Sequence, residues 1–123
     1  MGVKKILIIE DEKILSDMYQ EKFKMAGFKV FSAMDAEEGL TIAKKEKPNL
    51  ILLDILLPRG NGIFFLEKIK ENHDISSIPV VAFSNYDDPK TKEKARNAGA
   101  RDYLIKTNFT PEEVVNKVKE YLA

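Results

Sequence analysis

The chain has 123 residues, 44% of them hydrophobic, and balances 20 basic against 20 acidic side chains, which fits one folded domain and gives neither a disordered composition nor a general attraction to nucleic acid. It contains no cysteine, excluding disulfides and thiol chemistry, and no apolar run approaches the roughly 18 residues of a membrane span. The opening MGVKKILIIEDE is too short in apolar residues, and meets acids too soon, to be a signal peptide, so a cytoplasmic setting without membrane association is expected.

In chain order, the first strand is expected at Lys5 to Ile9, with Ile6 to Ile9 apolar at every position, as in a strand covered by helices on both faces. A helix follows, with Leu15, Tyr19, Phe23 and Ala26 forming an apolar stripe at helical spacing and Gly27 suited to the left-handed stop. The second strand is read at Phe28 to Ser32. Asp35 with Glu38 has capping-box spacing for the second helix, and Pro48 ends it. Asn49 to Leu53 is the third strand, again apolar along Leu50 to Leu53. The third helix runs toward His73, the only histidine, which sits among polar residues and reads as surface.

Ile78 to Phe83 is the fourth strand, and Pro89 suits the first position of a helix that Gly99 stops. Asp102 to Ile105 is the fifth strand. Thr110 and Glu113 form a second capping box around Pro111, which explains the threonine of Asn108-Phe109-Thr110 better than a glycosylation sequon does. Strands alternating with helical segments predict an α/β fold: a single (βα)5 domain over residues 1–123 with a doubly wound, five-stranded parallel sheet. Right-handed crossovers then align the ends of the first, third, fourth and fifth strands along one ligand-binding edge.

The chemically distinctive residues fall on that edge. Glu10 and Asp11 end the first strand, Asp54 the third, Ser84 the fourth and Lys106 the fifth. Gathered carboxylates repel, at about 4 kcal/mol per pair at 4 Å with an effective dielectric near 20, so a cation is expected among them. An all-oxygen site with room for waters and a phosphate suits Mg²⁺, whereas zinc favours His or Cys. With Lys106 as a second cation and the Ser84 hydroxyl as a donor, the set can hold a phosphoryl group on three sides. Taken singly, each residue has a plainer explanation: Asp11 could cap the helix that begins near Lys13, Lys106 could be a surface lysine and Ser84 a turn residue. Their joint placement on strand ends favours the site.

The stretches IIEDE, LLDILLPRGNG, VVAFSN and YLIKT resemble the motifs of response-regulator receiver domains, in order and across essentially the whole chain. The resemblance implies a flavodoxin-like sheet of strand order 2-1-3-4-5. It implies that Asp54 is the phosphoacceptor, that Glu10 and Asp11 are the acid pair around Mg²⁺, and that the Leu56 backbone carbonyl is a further metal ligand. Ser84 becomes the hydroxyl that senses the phosphoryl group, Tyr103 the aromatic switch and Lys106 the phosphoryl-binding cation. The implied partner is a sensor histidine kinase or a histidine phosphotransfer protein, with an unidentified downstream effector and no direct nucleic-acid binding by this domain. Such a domain is not a conventional enzyme, although it catalyses its own phosphorylation and slow dephosphorylation. The chain departs from the family pattern with Glu at 10 in place of Asp, Asn61 in place of Asp, Ser84 in place of Thr, and Thr107 where a proline, often cis, usually follows the lysine.

Three further residues carry expectations. Leu56 and Tyr86 lie two residues after Asp54 and Ser84, positions that in receiver domains flank the path of attacking water, and here they are expected to slow hydrolysis unless they simply pack under the loops. Ile14, at the fringe of the first helix's apolar stripe, is a candidate kinase-docking residue, with core packing as the alternative. Rival functions fare worse: a flavin module would need a Ser/Thr/Gly-rich loop where EDEK stands, and a haloacid-dehalogenase-type phosphatase needs a second acid where Leu56 stands. Neither a Walker nor a GxGxxG pattern is present. A phosphorylation-independent interaction scaffold is the remaining alternative.

Overall fold

Aliphatic runs with helices on either side form a parallel sheet because only helix-covered faces can bury side chains on both sides of a strand. A computed structural model of the chain describes residues 2–57 and 62–123. Five strands, β1 (Lys5–Ile9), β2 (Lys29–Ala33), β3 (Leu50–Asp54), β4 (Val80–Ser84) and β5 (Asp102–Ile105), alternate with helices α1 (Lys13–Met25), α2 (Ala36–Glu46), α3 (Gly62–Glu71), α4 (Pro89–Asn97) and α5 (Pro111–Tyr121). The strands are parallel in the order β2-β1-β3-β4-β5, the doubly wound arrangement expected from the sequence. Asn61 and the preceding Pro58, Arg59 and Gly60 lie outside the described residues.

Strand alternation divides the core in two. Leu7, Ile9, Ile51, Leu53, Val80 and Ala82 pack with Ala36, Ala43, Phe65, Leu66, Ile69 and Ala95 beneath α2, α3 and α4. Ile6, Ile8, Leu50, Leu52, Val81, Phe83 and Leu104 pack with Tyr19, Phe23, Val114, Val115 and Val118 beneath α1 and α5. Tyr19 meets Phe83 edge-on at 5.3 Å and Phe23 meets Phe28 at 5.7 Å, the favoured aromatic geometry.

The helix ends follow the sequence closely. Asp35 accepts from the Glu38 N–H at 2.9 Å, and Thr110 and Glu113 form the full capping box. Gly27 and Gly99 have φ of 96° and 112°, the region glycine enters at least cost. Three strands differ in their bounds. β2 and β3 each start one residue later than read, and β4 runs Val80–Ser84 rather than Ile78 to Phe83; Asp54 and Ser84 are therefore the last ladder residues of their strands. α2 stops at Glu46 with Lys47 at φ 46°, so a left-handed lysine ends it ahead of Pro48. After β5 the chain forms a 3-10 turn, Lys106–Asn108, and no peptide bond among the described residues is cis, so Lys106-Thr107 is trans.

Candidate functional site

Parallel register builds the site. Ile9 pairs with Leu53 and Asp54 with Phe83, so Glu10, one residue past β1, comes level with Asp54. Ser84 pairs with Ile105, which places Lys106 one step beyond it. The two-residue period also sorts directions: Glu10, Asp54 and Lys106 share strand parity with the α1/α5 core, while Ser84 and Tyr103 share that of the α2/α3/α4 core.

Each strand-end group is pinned by the backbone two residues on. Glu10 Oε2 accepts from the Glu12 N–H at 3.1 Å, Asp54 Oδ1 from the Leu56 N–H at 3.1 Å, and Ser84 Oγ from the Tyr86 N–H at 3.0 Å. These bonds fix one oxygen of each carboxylate and leave the other turned inward. Lys106 Nζ reaches both inward oxygens, at 2.6 Å from Glu10 Oε1 and 3.5 Å from Asp54 Oδ2. Its stem is buried, with Nζ 5.5 Å from the centre of the Phe83 ring, a favourable cation–π placement.

Asp11 completes the acidic group: one carboxylate oxygen from each of Glu10, Asp11 and Asp54 lies within 4.8 Å of the others. Asp11 does not cap α1, whose N-cap is Glu12 with no side-chain cap bond. The plainer reading of that aspartate therefore fails. Burial pushes the Glu10 carboxyl up to about 7, the Asp54 charge adding to it against the pull of Lys106 and the Glu12 N–H. Burial works to lower the Lys106 ammonium, yet the Glu10 hydrogen bond and the Asp54 charge outweigh it and hold it above its ordinary value. Burial and the Glu10 charge push the Tyr19 hydroxyl up to about 12. Three carboxylates against one ammonium, with Glu10 and Asp54 buried and Asp11 partly exposed, make an acid-rich, all-oxygen cluster open to solvent on one side, which fits a divalent cation such as Mg²⁺.

The remaining residues divide between rim and interior. Ser84 is wholly buried. Tyr103 is half-buried against the α2/α3/α4 core, and its hydroxyl donates to the Tyr86 carbonyl at 3.0 Å. Tyr86 thus holds Ser84 through its N–H and Tyr103 through its carbonyl. Leu56 and Tyr86 are 46% and 55% exposed, so neither packs under a loop. Ile14 is 88% exposed and is not a core residue. His73 is exposed, as expected.

Sequence reasoning did not foresee the direct Glu10–Lys106 ion pair, the two-residue backbone bonds or the backbone of Tyr86 as the link between Ser84 and Tyr103. It also missed Gly62, whose N–H donates to the Ile55 carbonyl at 2.8 Å and whose Cα lies too near the Asp54–Ile55 backbone to carry a side chain freely. The glycine ending the NG pair was the one available signal.

Comparison with known proteins agrees with this arrangement. The model of the response regulator receiver domain matches residues 6–119. The chain is 34% identical over 119 residues to the alkaline phosphatase synthesis transcriptional regulatory protein PhoP of Bacillus subtilis (strain 168), covering 97% of this chain and 48% of that protein. It spans about half the length of the curated relatives it matches. Among solved structures, a CheY-like response regulator receiver domain protein from Methanospirillum hungatei shares 30% identity with a TM-score of 0.90, covering 98% of this chain and 94% of that one. The Mn(2+)-bound form of response regulator Rcp1 shares 27% identity with a TM-score of 0.82, over 97% and 94% of the two chains. Fold, strand-end chemistry and family match coincide: the chain belongs to the response regulator receiver domain family.

Proposed function

We propose that the domain, residues 1–123, is a phosphorylation-dependent switch of a cytoplasmic two-component phosphorelay, in which Asp54 accepts a phosphoryl group from a phosphohistidine on a sensor histidine kinase or a histidine phosphotransfer protein. The observation that best supports this is the strand-end carboxylate Asp54, with Glu10 and Asp11 within 4.8 Å and the Lys106 ammonium at 3.5 Å. Asp54 Oδ2, the oxygen not held by the Leu56 N–H, would attack phosphorus. The new O–P bond forms as the P–N bond breaks, and the imidazole leaves with the bonding electrons. From acetyl phosphate the P–O bond breaks instead and acetate leaves.

Glu10, Asp11, Asp54 and the Leu56 carbonyl are the groups that would hold Mg²⁺, and the Mn(2+)-bound relative supports a divalent ion here. When bound, Mg²⁺ neutralises charge on the transferring phosphoryl oxygens. Lys106 supplies the fixed second cation. The Ser84 Oγ accepts from Tyr86 and keeps its own proton to donate to a phosphoryl oxygen. Movement of Ser84 toward that oxygen pulls on Tyr86, whose carbonyl holds Tyr103, and so changes the surface presented by α4 and β5 to a downstream effector. The mass of the intact domain after acetyl phosphate treatment tests the reading. A gain of one phosphoryl group is expected with Mg²⁺, not without it, and not in Asp54→Asn. An unchanged mass with Mg²⁺, or an equal gain in Asp54→Asn, favours the phosphorylation-independent scaffold.

Ile14 extends the reading to the partner. An 88% exposed isoleucine in the first turn of α1, three residues from Asp11, suits docking on an apolar patch of the kinase. Truncation of a docking anchor typically costs 1 kcal/mol or more, so Ile14→Ala should slow phosphotransfer from the cognate kinase about fivefold at sub-saturating kinase, with acetyl phosphate labelling unchanged. Transfer at the parent rate contradicts the docking role.

A further inference from the structure

The Lys106 ammonium has two carboxylates to choose from and is not shared evenly between them. It lies 2.6 Å from Glu10 Oε1 and 3.5 Å from Asp54 Oδ2; the first is a short charge-assisted hydrogen bond and the second is at the limit of one. Glu10 is in no position to drift, because the Glu12 N–H holds its other oxygen at 3.1 Å and the side chain is buried. The reach depends on side-chain length: an aspartate at position 10 is shorter by one methylene, about 1.5 Å, and could not keep both bonds from the same backbone. Phe83 beneath the ammonium limits where the lysine can rest.

We infer that Glu10 is a positioning residue that holds Lys106 off Asp54 in the resting domain, keeping Asp54 Oδ2 open, and that occupation of the acidic cluster by a divalent cation releases the ammonium toward the phosphoryl group. The inference rests on the proposed phosphorylation of Asp54 for its purpose but not for its geometry. Lys106 is a phosphate-binding cation only once Glu10 has another positive partner. The cation and the lysine are thereby coupled: with the cation absent the lysine is engaged elsewhere, and phosphoryl donors meet a site lacking both positive charges. Neither charge then operates without the other.

The full 123-residue chain allows a direct test. The Lys106 ammonium is followed by ¹⁵N-correlated NMR at low temperature and pH 8, without metal, and assigned by its loss in Lys106→Arg. Glu10→Gln should displace the signal further than Asp54→Asn does, and Glu10→Asp should displace it in the same direction as Glu10→Gln. Saturating Mg²⁺ should move the parent signal toward its position in Glu10→Gln. A larger displacement in Asp54→Asn than in Glu10→Gln, or a parent signal unmoved by saturating Mg²⁺, overturns the inference. Glu10→Gln is near-isosteric, and unchanged far-ultraviolet circular dichroism establishes that the variants are folded. Because no phosphoryl donor is present, a chain that passes this test yet takes no phosphate on Asp54 would refute the phosphoacceptor reading alone.

Discussion

Phosphorylated domain carrying Leu56→Asn together with Tyr86→Glu should lose its phosphoryl group about 10²-fold faster than the parent once the donor is removed. The magnitude is that of general-base help and orientation of an attacking water, which typically add 10²-fold or more. Both side chains reach solvent beside the strand ends, Leu56 two residues past Asp54 and Tyr86 two past Ser84, so they are free to cover the phosphoryl group. The Leu56 side chain has no atom that can hydrogen-bond water. The Tyr86 hydroxyl sits at the far end of a rigid ring, too distant to serve as a base on a water next to the phosphorus. The parent is thus expected to exclude water, and the double variant supplies an amide and a carboxylate to orient and activate it. Phosphate loss is followed by mass over time after desalting; equal lifetimes would show that these residues do not guard the site.

Gly62→Ala should destabilise the domain by about 1–3 kcal/mol, the usual cost of forcing extra atoms into a packed site. A Cβ at Gly62 would lie 2.7 Å from the Ile55 Cα and 3.0 Å from the Asp54 carbonyl oxygen. Both are backbone atoms of the segment that carries Asp54, so relief requires that segment to move. Gly39 makes an informative control. Its Cβ would meet the Ile9 Cδ1 at 2.5 Å, but that atom is the tip of a side chain, and alanine inside α2 recovers about 1 kcal/mol of helix propensity. Urea unfolding should therefore show a lower midpoint at unchanged slope for Gly62→Ala, and a smaller effect for Gly39→Ala. Parent stability in Gly62→Ala would contradict this account of the turn.

The strands at the sheet centre were legible because Ile6 to Ile9 and Leu50 to Leu53 are buried on both faces and read as unbroken apolar runs. Helix ends were legible wherever one residue type answers a local need, as with Asp35, Thr110, Gly27 and Gly99. Pro48 was an equally sound signal: a proline keeps the residue before it out of the right-handed helix, and Lys47 takes the left-handed conformation one step after α2 ends at Glu46. The residues of the candidate site were visible as chemistry on strand ends, but their pairing was not. Glu10 and Lys106 are 96 positions apart, and only the strand register and the methylene that distinguishes Glu from Asp decide that they touch. Ile14 and Leu56 show the converse. Their exposure depends on where an apolar side chain falls relative to neighbouring helices and loops, which helical spacing alone does not determine.

The central claim is that Asp54 is the residue that carries the phosphoryl group, and chemical mapping of the label tests it most directly. Borohydride reduces an aspartyl phosphate to homoserine, so domain treated with acetyl phosphate and Mg²⁺, reduced, digested and sequenced by mass spectrometry should show homoserine at position 54. Asp11 and Glu10, which share the site, should remain unchanged. Reduction product at position 11 with Asp54 intact, or no reduced residue despite Mg²⁺ and excess donor, would contradict the account.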